Sequence, residues 1–227
     1  MKREVSLSEI SDGKLYDSND MVKADCHDCT GCSACCRGMG TSMILDPFDI
    51  HRLLNGLGGT FAELLTDRVE LNVVDGIILP NLKMAGGGET CVFLNDQGRC
   101  SIHPFRPGVC RLFPLGRFYE NHGFKYFLQV NECVNPAKSK IKVRKWIDTP
   151  DLKRQEQFIT DWHYFLNDME KLGAEATEEQ VLKDLNMYIL KQFFFTPFEP
   201  SDDFYAQFQQ RLLEAKQHTA QKTAEIR

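Results

Sequence analysis

Cys26-His27-Asp28-Cys29-Thr30-Gly31-Cys32-Ser33-Ala34-Cys35-Cys36 decides how the rest of the chain is read. Five of the nine cysteines in 227 residues fall within this one run. Disulfides at such spacings would close very small loops, which are strained and gain little loop-closure entropy. Repeated C-x2-C steps instead let several sulfurs converge on one ion or cluster from a tight turn. Gly31, Ser33 and Ala34 are small enough for the backbone to pass close to a metal. Cys26, Cys29, Cys32 and Cys36 have the C-x2-C-x2-C-x3-C spacing of bacterial ferredoxins, although Arg37 stands in place of their proline and Cys35 is extra. Adjacent Cys35 and Cys36 point apart in most backbones. One of them therefore ligates while the other supports or bridges, or the cysteines form two sites.

Working outward, Cys91, Cys100, Cys110 and Cys133 supply the remaining thiols. Cys29-x2-Cys32-x2-Cys35-Cys36, the step Cys91-Val92-Phe93-Leu94, the segment Arg106-Pro107-x2-Cys110-Arg111-x-Phe113-Pro114 and a last Cys133 together resemble the YkgJ-type cysteine-cluster family. That family carries a zinc- or iron-chelating CxxCxxCC domain, and flagellin lysine N-methylases contain a version of it. The resemblance covers roughly residues 26 to 135 and implies Cys29, Cys32, Cys35, Cys36, Cys91, Cys100, Cys110 and Cys133 as metal ligands. Cys26 extends the run by one step beyond the family pattern. His103-Pro104 stands where a tyrosine and a polar residue are expected.

His27 and His103 lie inside the cysteine motifs. With thiolates so plentiful, a supporting or surface role suits them better than ligation. Arg106 and Arg111 flank Cys110; they either stabilise thiolate charge or pair with carboxylates to fix the loop. His51, His122, His163 and His218 have no partners at metal-ligand spacing. Asp46, Asp49 and Glu63 are carboxylates on expected helices with no catalytic signature.

Composition bounds the rest. The hydrophobic and charged fractions, 42% and 26%, are those of a globular protein of one large domain or one domain plus an appendage. The start of the chain leads to no apolar core, so no signal peptide is expected, and no apolar stretch approaches a membrane span. A reducing cytoplasm is the expected setting, which favours metal ligation over disulfides. The net charge of −5 argues against general nucleic-acid binding. A local exception, Lys138-Ser139-Lys140-Ile141-Lys142-Val143-Arg144-Lys145, is read first as a solvated face and second as a docking patch for an acidic partner.

Residues 1–25 lack periodicity and are expected to form a mobile or extended arm. Residues 26–137 read as the cysteine domain. A short strand is expected at 43–45. Asp46-Pro47 opens a helix ending near Asn55-Gly56, and Thr60 and Glu63 form a capping box for a second. Strands 69–74 and 77–82 meet across Asp75-Gly76, a strong hairpin signal. A second hairpin is expected across 92–94 and 100–102, and a third from Phe118 to Val130. Residues 138–227 read as helical: one helix from about Leu152, ended by Gly173; a second opened by a Thr177–Gln180 capping box; a third capped by Ser201, with a fraying tail from Lys216. The radical S-adenosylmethionine cysteine run, a P-loop and an H-E-x-x-H motif are all absent.

The expected fold class is α+β: a small loop-rich, cysteine-ligated metal domain with short β-hairpins and two helices, followed by a helical region. The first functional reading is a metal-binding protein with an iron–sulfur cluster, [4Fe–4S] ahead of Zn2+, in a structural, redox or transfer role. A lysine N-methylase-like enzyme using S-adenosylmethionine is the alternative implied by the resemblance. A structural-zinc interaction module, whose C-terminal helices bind a protein partner or substrate, is the third.

Overall fold

A computed structural model describes residues 6–26, 32–86, 90–135, 138–176 and 179–226, with side chains as far as 221. In chain order its elements are α1 (Leu7–Ile10), β1 (Met21–Asp25), α2 (Pro47–Leu57), α3 (Phe61–Asp67), β2 (Val69–Val74), β3 (Ile77–Leu82), β4 (Met84–Ala85), β5 (Thr90–Cys91), α4 (Gly108–Leu112), β6 (Leu115–Glu120), β7 (Gly123–Leu128), β8 (Ser139–Lys142), α5 (Val143–Ile147), α6 (Leu152–Glu175), α7 (Glu179–Leu190) and α8 (Phe204–Ile226). The strands form four separate antiparallel pairs: β1 with β8, β2 with β3, β4 with β5 and β6 with β7. With its helical C-terminal half the fold is α+β, as the sequence predicts.

Local chemistry sets the elements around the site. Asp46 caps α2 by accepting the Asp49 N–H at 2.8 Å, and Asp49 returns the bond to the Asp46 N–H at 3.2 Å. Thr60 and Glu63 make the expected reciprocal box for α3. In the β2–β3 hairpin Val74 faces Ile77, and Asp75 and Gly76 both take the positive φ that a tight two-residue turn requires. The β6–β7 hairpin uses Asn121 and His122 in the same way, beginning three residues earlier than its sequence signal at Phe118.

Several expectations change in three dimensions. Residues 43–45 form no strand; Ile44 makes only an isolated bridge to Asn81, with Leu82 N–H to Met43 O and Leu45 N–H to Pro80 O on either side. The second hairpin shrinks to a Leu94–Cys100 bridge, because Cys91 pairs instead with Met84 across β4 and β5. Gly173 does not end α6. It is buried inside the helix, where an added Cβ would meet Leu182 Cδ2 at 3.0 Å, so glycine lets α7 approach closely. Ser201 does not cap α8; Asp203 does, through the Ala206 N–H at 2.8 Å. The tail beyond Lys216 stays helical because Ala215 and Thr219 are buried. Thr177 lies outside the described residues. Residues 6–25, expected as an arm, are stitched down: β1 pairs with β8, Tyr16 bridges Tyr126 and Ser11 bridges Gln129.

Two hydrophobic clusters result. The larger joins Leu45, Leu53, Val69, Leu82 and Ile102 to Phe158, Phe165, Ile189, Phe193 and Phe208 of the C-terminal helices. The smaller gathers Val22, Ala24, Cys26, Leu112, Leu115, Tyr126, Val143 and Trp146. The cysteines stop near the boundary expected at 137/138, but the core crosses it. None of the helices among the described residues is long and apolar enough to cross a membrane.

Candidate metal centre

Four separate pieces of backbone bring thiols to one place. The run contributes Cys32, and the 3-10 turn Ala34–Cys36 contributes Cys35 and Cys36. Arg37 pins this turn to β5 by its bridge to Thr90 and by Nη1 on Thr90 Oγ1 at 3.2 Å. β5 supplies Cys91. The turn behind it is held by Asn95, whose Oδ1 accepts the Gln97 and Arg99 N–H groups at 3.1 and 2.9 Å, and it delivers Cys100. α4 supplies Cys110.

These six cysteines line one largely apolar cavity of about 100 Å³, closed by Met39, Met43, Met84, Phe93, Val109 and Trp146. A second, smaller cavity of about 20 Å³ adjoins it and is lined by Cys26, Cys32, Cys35 and Cys133. Cys32 and Cys35 are walls of both. As the side chains stand, no three donors among the described residues meet at metal-ligand distance; the sulfurs face a shared space instead. No two of the described cysteines are joined by a disulfide. Seven of the eight expected ligands thus surround two connected cavities, while Cys29, like His27, lies outside the described residues. The ferredoxin-like quartet is divided, with Cys36 on the larger cavity and Cys26 on the smaller.

The electrostatics suit a cation. Cys36 donates to Cys35 and holds the Cys35 thiol down to about 7, with Arg106 helping; the same bond, then burial, pushes Cys36 upward. Burial pushes Cys91 and Cys100 up. Burial, then the charges of Asp49, Cys91, Cys100 and Cys35, push Cys110 well above the ordinary thiol value. Thiols this close oppose one another's ionisation, and a bound cation reverses that sign by attracting every thiolate at once. The donor set therefore fits a thiophilic metal.

Asp49 and Trp146 are supports that sequence reasoning passes over. Asp49 is 3% exposed, and its Oδ1 accepts the Gly108 N–H at 2.6 Å, tying α2 to the first turn of the helix that carries Cys110. The Asp46–x2–Asp49 pair at a helix start was the available signal. Trp146 lines both cavities and donates Nε1–H to Phe113 O at 3.1 Å, but nothing in its local sequence marks it. His103 stands in the wall of the larger cavity, with its Nε2 2.7 Å from Arg106 Nη1. Arginine only donates, so Nε2 accepts and the proton sits on Nδ1.

A thiol-lined cavity built from several loops defines a metal-binding domain. Residues 28–132 match the model of the CxxCxxCC family, described as a "putative zinc- or iron-chelating domain", and this segment is a domain of that kind. The match begins after Cys26, which the family pattern does not require, and stops one residue short of Cys133. No curated protein and no solved structure matches the chain.

Proposed function

We propose that the metal of this domain is an iron–sulfur cluster held across the larger cavity by ligands drawn from Cys32, Cys35, Cys36, Cys91, Cys100 and Cys110, with Cys29 from the same run. One observation carries the reading: six thiols face a single cavity of about 100 Å³, more donors and more room than one tetrahedral ion uses. An iron–sulfur cluster would supply one-electron redox capacity or a rigid staple for the loops around it. The chain's own part is separate. The apolar wall of methionines, Phe93 and Trp146 excludes water, and Arg106 offsets thiolate charge at Cys35 and Cys100. Protein purified without oxygen should be brown and contain iron with acid-labile sulfide. Zinc without sulfide would overturn the reading.

The smaller cavity favours a second reading, a single zinc. Four thiols, from Cys26, Cys32, Cys35 and Cys133, around about 20 Å³ match the donor number of a closed structural zinc site. Cys133→Ser and Cys110→Ser separate the two. The iron reading expects colour to be lost with Cys110 and kept with Cys133; the zinc reading expects zinc to be lost with Cys133. Saturable binding of S-adenosylmethionine to the purified protein would instead raise the methylase-like alternative.

A further inference from the structure

We propose that the cleft between the Pro104 turn, α4 and the α5–α6 corner is a binding site for a phosphate-monoester group. The cleft encloses about 560 Å³ and is lined by Arg52, Arg111, Arg144, Lys145 and Asp148, with Pro104 at its edge. An adjoining recess of about 270 Å³ adds Arg106, His103 and Asp25. Five cationic side chains thus face two carboxylates, and none of the five forms an ion pair among the described residues.

Main-chain carbonyls hold two of these cations, Arg52 and Arg111, in place without neutralising them. Arg52 and Arg111 both donate to Pro104 O, at 2.9 and 2.8 Å. Arg111 also donates to Asp148 O at 2.6 Å and to Arg106 O at 3.3 Å. Its side chain is buried, at 6% exposure, and feels the guanidinium groups of Arg52 and Arg106 as well as the carboxylates of Asp148 and Asp49. Arg106 Nε is buried and has no hydrogen-bond partner among the described residues. A buried guanidinium is costly unless an opposite charge faces it. An anion entering the cleft offsets all three groups at once.

The chemistry of the anion follows from the donors. Planar guanidinium forks match phosphate oxygens, and two or more forks preorganised around one space suit a doubly charged oxyanion. The excess of positive groups over carboxylates is enough for a phosphate monoester, which carries close to two negative charges at neutral pH. The volume admits a phosphorylated small molecule or a phosphorylated side chain. An extended polyanion is disfavoured by the chain's net charge of −5. Arg106, His103 and Trp146 line both the recess and the cysteine cavity, so a bound phosphate group lies across this wall from the metal centre.

Calorimetric titration of the protein as purified tests the site, using inorganic phosphate, glucose 6-phosphate and a phosphoserine peptide in turn. Saturable binding of one phosphate group per chain is expected. Tighter binding of the sugar phosphate marks a small-molecule ligand; tighter binding of the peptide marks a modified protein. Arg144 and Lys145 are exposed, so Arg144→Ala/Lys145→Ala should fold normally and weaken binding by about tenfold or more. Lys171→Ala/Lys183→Ala, on outer faces of α6 and α7, should leave it unchanged. Failure to saturate with millimolar phosphate, or equal weakening by both double variants, overturns the proposal. Metal content has no part in the readout, so this result and the identity of the metal are decided independently.

Discussion

Asp49→Ala probes how the fold presents Cys110. The Asp49 carboxylate accepts the Gly108 N–H at 2.6 Å and the Asp46 N–H at 3.2 Å, both in a setting where Asp49 is 3% exposed. Alanine leaves the Gly108 donor without its partner, at a cost of about 1–3 kcal/mol. It also removes half of the capping box of α2, worth about 1 kcal/mol. Part of this is returned, because burial already disfavours charge on Asp49, and its charge in turn disfavours ionisation of Asp46. The net expectation is a loss of about 1–3 kcal/mol, a fall in Tm of roughly 2–12 °C for a chain of this size. Asparagine keeps one oxygen for Gly108 but sets its amide NH2, a donor, against the Asp46 N–H, so it loses only that bond and Asp49→Asn should cost about 1 kcal/mol. Denaturant titration gives both values, and metal analysis gives the functional consequence. With α4 released, the alanine variant should retain less metal than the asparagine variant. The argument fails if Asp49→Ala lies within about 0.5 kcal/mol of the parent, or if asparagine is as damaging as alanine.

The carboxyl of Asp46 is pushed up by burial and then by Asp49, so the folded state holds its proton more tightly than the unfolded chain. That contribution to stability is full below the unfolded value of 3.8 and is lost as pH rises through the higher folded value. Asp46→Asn keeps an equally good cap, so it should stabilise the protein near neutral pH and give no gain in acid; thermal melts at the two pH values check this. Gly116 faces Phe127 across β6 and β7, and a Cβ there would lie 2.3 Å from the ring. Gly116→Ala should therefore cost about 1–3 kcal/mol, and Phe127→Leu in the same chain should recover part of it; additive losses in a double-mutant cycle would contradict the contact. Asn186 accepts the Ile78 N–H at 2.6 Å and donates to Gly76 O and Leu182 O at 3.3 and 3.0 Å, fastening α7 to the β2–β3 hairpin. Asn186→Ala should cost about 2–3 kcal/mol and speed hydrogen exchange in β2 and β3; unchanged exchange there would refute it. Removing the metal should loosen residues 32–36 and 90–113 while β3 and α6, which share one core, stay protected. Hydrogen exchange would count against this if the whole of 32–135 opened together or if nothing changed.

What the sequence by itself determined is local. The C-x2-C steps announce metal chemistry because thiols at that spacing have little else to do in a tight turn. Asp46-Pro47, Thr60 with Glu63, and Asp75-Gly76 fix α2, α3 and the β2–β3 hairpin because caps and two-residue turns are satisfied within a few residues. Periodicity finds the C-terminal helices for the same reason.

Only the tertiary structure decided what those pieces meet. Gly173 reads as a helix stop, but the approach of Leu182 keeps it inside α6. Residues 6–25 have no periodicity of their own, and their order comes from β7 and β8, more than a hundred residues away. The partition of the cysteines between two cavities, the tie from Asp49 to Gly108 and the place of Trp146 in both walls join positions far apart in sequence. The same is true of Arg52, Arg111 and Lys145, which face one cleft only because α2, α4 and α5 converge on it. Side-chain type and spacing specify short-range hydrogen bonding and ligand chemistry. Which thiols and cations share a cavity depends on the packing of a core assembled from both halves of the chain, and that packing is a property of the folded whole.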